Sequence, residues 1–303
     1  MSKRKEPAEQ FLTIKPAQKF NIQNDGFIGS LYKPQDNSFE GKVLIMSGGS
    51  DGYFSLTCLI AEQFVKRGLT VLALAYWNQP GLPDAFEKIP VEYVERAALW
   101  LKNHNYIKIG MWGISKGSEY ALISGSILQN LISCVVAVCP INICGQGIRK
   151  GKSIRLLDCS AWSFRGKEIP YANLQYNKRQ IIKDMLKRRS ICKRSCYNNA
   201  IVSAPENAYI QIENINGPIL FLSANDDDMW PAKEASEWMM ERLNRKQFPY
   251  QHKHYNYEYA SHFLIPYKLK SVKMFAVERR YPEECMESNR KSLEDTLIFL
   301  NEW

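Results

Sequence analysis

The chain has 303 residues, of which 45% are hydrophobic and 23% charged, and it carries a formal net charge of +9. This length can bury a full core, and no apolar run approaches the roughly 20 residues that a membrane-spanning helix needs. The first seven residues are charged with no apolar stretch behind them, so we expect no secretory signal and a cytoplasmic protein.

The first predicted element is a β-hairpin within residues 1–40, which we expect to form a tail joined to the core. Two apolar segments, 20–22 and 27–32, flank an Asn-Asp-Gly sequence at 24–26. Asp-Gly tolerates the positive φ that tight turns require, so these segments are predicted to pair through a turn.

After the hairpin, strand and helix patterns alternate, which is typical of a mostly parallel sheet covered by helices on both faces. The alternation stops over residues 141–216, so we expect a core of 41–140 and 217–303 interrupted by a basic, cap-like insert. The predicted strands are 42–46, 70–75, 108–112, 134–139, 218–223 and 251–257. The predicted helices cover about 56–64, 90–101, 116–128, 232–244 and 287–302.

A G-x-S-x-G sequence at 113–117 follows the predicted strand 108–112 and opens a helix. Its glycines lack Cβ atoms, so the chain can turn sharply and expose the Ser115 hydroxyl at the end of the sheet, as in the α/β-hydrolase fold. A second match at 48–52 leaves Ser50 as an alternative nucleophile. We favour Ser115, because no comparable strand upstream of Ser50 supplies the loop that these enzymes use for an oxyanion-hole amide.

A serine nucleophile needs a base, and the chain has only four histidines. His262 follows the last predicted strand, on the loop where α/β-hydrolases place this base. The others, for which we expect surface or structural roles, are His104, His252 and His254. The sequence therefore predicts His262 as the catalytic base.

The orienting acid is expected on the loop after strand 218–223, which holds three consecutive aspartates. In many hydrolases the acid lies four residues before the proline that begins the next helix, here Pro231. This spacing favours Asp227 as the acid, with Asp226 as the alternative. The remaining aspartates could simply complement the dipole of the next helix, as acidic residues at a helix start often do.

The oxyanion formed when Ser115 attacks a carbonyl needs two preorganised backbone amides. The amide of Lys116, directly after the nucleophile, is the first predicted donor. The second is the amide of Gly49, because glycine lets the backbone approach the substrate closely.

Four motifs follow one another along the chain at 72–83, 113–119, 226–230 and 261–267. Together they resemble the acyl-CoA thioester hydrolase and bile acid-CoA:amino acid N-acyltransferase family, and the similarity covers most of the chain from about residue 20. The resemblance implies an α/β-hydrolase that cleaves acyl-CoA thioesters with Ser115 as nucleophile, Asp227 as acid and His262 as base. The transferase branch of the family carries cysteine at the nucleophile, so serine favours water as the acyl acceptor.

Three alternative functions remain open beside this one. The chain could be a carboxylesterase, like a dienelactone hydrolase, that acts on small esters. It could be an acyl-CoA:amino acid N-acyltransferase, or a non-catalytic binding protein on a hydrolase fold.

The insert carries an uneven charge, because residues 149–194 hold 14 Lys or Arg and three acidic residues. A solvated surface is one interpretation of this charge, and attraction of the CoA phosphates by Lys187, Arg188 and Arg189 is the other. We expect no nucleic-acid partner, since no nucleic-acid module is recognisable. We also expect no metal or other cofactor, because the only close cysteine pair, Cys192 and Cys196, has no histidine beside it.

Overall fold

The computed structural model describes residues 8–151, 154–267 and 270–303, so the charged start of the chain lies outside the described residues. Within these ranges no helix has the length and apolar character that crossing a bilayer requires. The strands are β1 Gln18–Phe20, β2 Ile28–Tyr32, β3 Lys42–Ser47, β4 Thr70–Ala75, β5 Ile89–Pro90, β6 Lys108–Ile114, β7 Val135–Val138, β8 Gln146–Arg149, β9 Arg155–Ser160, β10 Trp162–Phe164, β11 Lys167–Glu168, β12 Ile219–Ala224 and β13 His252–Tyr257. The α-helices are α1 Ile22–Asp25, α2 Phe54–Val65, α3 Glu92–Asn103, α4 Lys116–Ile127, α5 Lys178–Arg188, α6 Arg194–Val202, α7 Ala232–Arg245, α8 Ala276–Arg280 and α9 Pro282–Glu302.

The central sheet has the order β1-β2-β4-β3-β6-β7-β12-β13. Strands from β4 to β13 in this order pair in parallel, and the hairpin β1-β2 adds to β4 in antiparallel orientation. Every residue of β4, β7 and β12 is buried, as expected for strands covered by helices on both faces. This is the predicted α/β-hydrolase fold, with a mostly parallel sheet.

The N-terminal hairpin forms, but its connection differs from the predicted tight turn. Ile22 lies in the helical turn α1 instead of in a strand. Asn21 caps this turn by accepting a hydrogen bond from the amide of Asn24 (3.0 Å), and Gly26 ends it at φ 72°. Asparagine before a helix and glycine after it favour such a helical turn over a two-residue hairpin loop.

The largest boundary errors lie near the C-terminus and before α3. Helix α9 begins at Pro282 instead of Glu287, because proline fits a first helical turn and Glu283 and Glu284 complement the helix dipole there. Helix α8 was not predicted. Pro90 lies in β5 instead of opening α3, because β5 pairs in parallel with β10 of the insert.

The insert is built from two antiparallel strand pairs, β8-β9 and β10-β11, followed by helices α5 and α6. The β5-β10 pairing connects it directly to the core.

The segment before the hairpin is held by Glu62 of α2, which is 1% exposed. Its carboxylate accepts hydrogen bonds from the Thr13 amide (2.8 Å), the Thr13 hydroxyl (2.9 Å) and the Ile14 amide (2.7 Å).

We expect Glu62→Gln to lower the free energy of unfolding by about 1–3 kcal/mol, since charge-assisted hydrogen bonds to a buried carboxylate are weakened. Chemical denaturation of both proteins measures this difference. The control Glu237→Gln, on the exposed face of α7, should change stability by less than about 0.5 kcal/mol. Equal effects of the two substitutions would contradict the role assigned to Glu62.

Candidate active site

Ser115 lies in the sharp turn between β6 and α4, with φ 57° and ψ −125°. This conformation is strained for a residue other than glycine, and such strain persists only where the surroundings impose it. The Ser115 amide donates to the carbonyl of Val138 (3.0 Å), and the Ser118 amide and hydroxyl donate to the Ser115 carbonyl (2.9 and 2.7 Å). Backbone bonds therefore fix the turn on both sides of the serine.

The two motif glycines are required by close backbone packing. A Cβ on Gly113 would lie 2.0 Å from the Gly117 carbonyl oxygen. A Cβ on Gly117 would lie 2.3 Å from the carbonyl oxygens of both Ser47 and Gly48. Since real Cβ contacts are never this short, α4 can begin against the end of β3 only with glycine at these positions.

Ser115, His262 and Asp227 form one chain of hydrogen bonds. His262 Nε2 lies 2.8 Å from Ser115 Oγ, and His262 Nδ1 lies 2.7 Å from Asp227 Oδ2. Asp227 is fully buried and His262 is 5% exposed. The other carboxylate oxygen of Asp227 accepts from the amides of Met229 (2.7 Å) and Trp230 (3.3 Å). Because an ionised carboxylate only accepts, this arrangement holds the proton on Nδ1 and leaves Nε2 facing the serine.

Asp227 is the one of the three consecutive aspartates that contacts His262. Asp226 and Asp228 both accept hydrogen bonds from Arg188 of α5, and Asp228 also accepts from the Ser190 hydroxyl. Burial raises the pKa of Asp228, an effect that these two donors oppose. The two flanking aspartates thus hold α5 beside the loop that carries Asp227.

The alternative nucleophile has a different partner. The Ser50 hydroxyl accepts a hydrogen bond from the Lys150 ammonium (2.9 Å). Of the other histidines, His252 bonds to Asn244 (2.8 Å) and His254 to Ser223 (2.7 Å). Burial lowers the pKa of His254 to about 4, so that it stays neutral. These contacts agree with structural roles for the histidines of β13.

Both residues predicted to supply oxyanion amides lie next to Ser115. Lys116 is the first residue of α4, where backbone amides have no partner within the helix. Gly49 is close to the nucleophile, since a Cβ placed on it would lie 3.5 Å from Ser115 Cβ. The Tyr76 hydroxyl donates to the Gly48 carbonyl (2.7 Å) and so holds this loop.

A buried ion pair beneath the turn was not found by sequence reasoning. The Lys116 ammonium lies 2.6 Å from Glu119, with these side chains 3% and 0% exposed. Glu119 also accepts from the Gly145 amide (2.7 Å) and from the Trp162 indole, both in the insert. A sequence pattern that could have indicated this pair is the Lys-x-x-Glu spacing in α4, whose other residues are small or apolar. This pair joins the insert to the nucleophile turn.

Ser115 and His262 line a cavity of about 220 Å³. A smaller cavity of about 50 Å³ also borders both residues. Two lysines of the insert, Lys150 and Lys193, line both cavities, and sequence reasoning did not single them out. Apolar side chains that line the larger cavity include Leu56, Ile60, Ile191, Phe263, Met274 and Phe275.

The three basic residues predicted to attract phosphates lie elsewhere. Lys187 and Arg188 line a separate cavity of about 370 Å³ beside Asp226 and Asp228. Arg189 ends α5 in the left-handed conformation, and its carbonyl accepts a hydrogen bond from Arg279. Their contribution to substrate binding stays a prediction.

Within the described ranges, one group of side chains has donor atoms close enough to hold a metal ion. Atoms of Cys139, Asp227 and His262 lie within 4.8 Å of one another. Burial raises the pKa of the Cys139 thiol well above its usual value, and the nearby Asp227 carboxylate adds to the rise. A neutral thiol is a poor metal ligand, so the chemistry of this group does not favour metal binding.

The fold agrees with solved α/β-hydrolase structures. A crystal structure of a protein from Klebsiella pneumoniae aligns with a TM-score of 0.55 at 12% identity, over 94% of this chain and 98% of that one. An alpha/beta hydrolase enzyme from a deep-sea metagenome library aligns with a TM-score of 0.51 at 16% identity, over 94% of this chain and 96% of that one. The class defined by fold and site geometry is therefore the α/β-hydrolases.

Within that class, residues 89–277 match the family described as BAAT / Acyl-CoA thioester hydrolase C terminal, and the chain belongs to this family. Human "Acyl-coenzyme A thioesterase 1" is 27% identical over 219 residues, which cover 71% of this chain and 47% of that protein. Mouse "Acyl-coenzyme A thioesterase 2, mitochondrial" is 29% identical over 186 residues, which cover 60% and 37%. The chain thus spans less than half the length of these curated relatives.

We expect Gly117→Ala to lower the free energy of unfolding by about 1–3 kcal/mol or more, because the added Cβ must displace rigid backbone. Gly49→Ala is a matched control, since a Cβ there meets no atom closer than 3.4 Å. Thermal and chemical denaturation of both variants measure the difference. A Gly117→Ala protein as stable as Gly49→Ala would contradict the packing argument.

Proposed function

We propose that the protein is a serine hydrolase that cleaves acyl thioesters, acyl-CoA in particular, through an acyl-enzyme. The observation that carries this proposal is the continuous hydrogen-bond chain from Ser115 Oγ through His262 to Asp227. The strained serine turn and the two amides beside it fit the same chemistry.

In the first half-reaction, Ser115 Oγ forms a bond to the acyl carbonyl carbon while His262 Nε2 takes the hydroxyl proton. The developing oxyanion accepts hydrogen bonds from the amides of Lys116 and Gly49. The bond between carbon and sulfur then breaks, and the leaving thiolate takes the proton from His262. Asp227 stabilises the imidazolium that exists between these two proton transfers.

In the second half-reaction, water gives a proton to His262 and its oxygen attacks the acyl-enzyme carbonyl. The ester bond to Ser115 breaks, and Ser115 Oγ recovers its proton from His262. The products are a carboxylic acid and a free thiol. Loss of one oxyanion donor typically slows such reactions on the order of 10²- to 10³-fold.

Two observations support a thioester substrate. The chain belongs to a family whose description names acyl-CoA thioester hydrolases, and the relatives above are named acyl-coenzyme A thioesterases. The cavity beside Ser115 is lined largely by apolar side chains, which suits an acyl chain.

A thiol-release assay over a panel of CoA esters tests the proposal. We expect release that is lost in Ser115→Ala, and labelling of Ser115 by a fluorophosphonate probe. Faster hydrolysis of p-nitrophenyl esters than of any thioester would favour an esterase, and acyl-glycine formed from added glycine would favour an acyltransferase. A folded protein that neither turns over substrate nor takes the probe would overturn the proposal.

The flanking aspartates allow a matched test of the acid. We expect Asp227→Asn to lower kcat on the order of 10⁴-fold, the magnitude known from serine protease triads, because the amide favours the wrong imidazole tautomer. Asp226→Asn removes only the negative charge from the contact with Arg188 and should leave turnover close to wild type. Steady-state kinetics of both variants decide this, and the reverse order of effects would assign the acid to Asp226.

A further inference from the structure

Two lysines of the insert line the cavity at the nucleophile. Lys150 follows β8, and Lys193 directly precedes α6. Both line the larger cavity together with Ser115 and His262, and both line the smaller cavity beside the same pair. Two lysines thus line the same cavities as the nucleophile and its predicted base.

The position of Lys150 places its charge close to the reaction centre. Its ammonium donates hydrogen bonds to the Ser50 carbonyl and to the Ser50 hydroxyl (2.9 Å). Ser50 directly follows Gly49, whose Cβ position is 3.5 Å from Ser115 Cβ. Lys150 is an exposed residue, but these bonds hold its ammonium against the predicted oxyanion loop.

The charges around these lysines leave the cavity positive. The pKa of Lys150 is lowered to about 8 by burial and by the charges of Lys193 and Lys116, against the raising effect of Asp51. Burial also lowers the pKa of Lys193, an effect that Cys196 opposes. Lys116 is neutralised by Glu119. Among the described residues that line the larger cavity, Asp51 is the one carboxylate.

We propose that Lys150 and Lys193 form a subsite for an anionic group of the substrate, held close to the scissile carbonyl. The inference rests on the proposed thioesterase function and specifies its substrate class. A CoA phosphate is separated from the thioester by the long pantetheine arm, so an anion this near the nucleophile belongs on the acyl chain. The substrate class is thus an acyl thioester whose acyl chain carries a carboxylate.

The test compares kcat/KM for two thioesters of the same thiol. In one the acyl chain ends in a carboxylate, and in the other that carboxylate is a methyl ester. We expect the carboxylate to be favoured about tenfold or more, as expected for charge-assisted hydrogen bonds from lysine. Lys150→Met and Lys193→Met should each reduce this preference, which is measured as the ratio of the two kcat/KM values within each variant. The control Lys183→Met, exposed on α5, should keep the preference, and thermal melting verifies that all variants fold.

A second pair of substrates identifies the source of the anion. It joins one neutral acyl chain to 3-mercaptopropionate and to the methyl ester of that thiol. A lysine-dependent preference in this pair, with none in the first pair, would place the anion on the leaving group and overturn the assignment to the acyl chain.

The pH dependence of the preference gives an independent readout. Lys150 is charged below its pKa of about 8, so the carboxylate preference should be full at lower pH and fall as pH rises through 8. The kcat/KM value reports the free enzyme, so this step should follow the unliganded lysine. It should disappear in Lys150→Met and be absent for the methyl ester.

Binding to Ser115→Ala separates failure of this inference from failure of the proposed function. Calorimetry measures the affinity of the intact thioester with the acyl carboxylate, with and without Lys150→Met in the same background. Lysine-dependent binding supports the subsite even if the wild type does not turn over thioesters. Turnover of thioesters with equal rates and equal binding for carboxylate and methyl ester would overturn the subsite and leave the hydrolase intact.

Discussion

The packing of α4 against the end of β3 is the contact on which the candidate site depends. Gly117 lies so close to the Ser47 and Gly48 carbonyls that no side chain fits between them. That approach places the first turn of α4 beside the Gly49 loop and holds Ser115 at a positive φ of 57°. This one steric constraint therefore sets the position of the nucleophile, the strain at Ser115 and the closeness of both predicted oxyanion amides.

The buried Lys116–Glu119 pair extends this constraint to the insert. Burying two charges has a desolvation cost, and the pair is stable only because further hydrogen bonds satisfy the carboxylate. Those bonds come from Gly145 and Trp162 of the insert. Displacement of the insert would therefore leave a charged group unsatisfied next to the nucleophile, and this couples the position of the insert to the geometry of the turn.

Parts of the fold could be predicted because their signals are local. The strand Thr70–Ala75 is a short apolar run that must be buried on both faces, and the structure has it at the predicted bounds. The candidate triad could be predicted because the chain has only four histidines and because α/β-hydrolases place serine, acid and histidine in that order along the chain. The start of α3 could not be predicted, because the β5-β10 pairing depends on residues more than 70 positions apart. A helix as short as α8 carries too few residues for a periodic signal.

A count of the lysines and arginines in the insert does not show which of them are neutralised in the fold. The sequence shows a strongly basic segment, but each cation has a different environment in the fold. Arg188 is neutralised by Asp226 and Asp228, and Lys116, just outside the insert, by Glu119. Lys150 and Lys193 face the cavity instead, where burial lowers their pKa values. Tertiary position, not local charge density, therefore decides which basic residues are neutralised and which border the cavity.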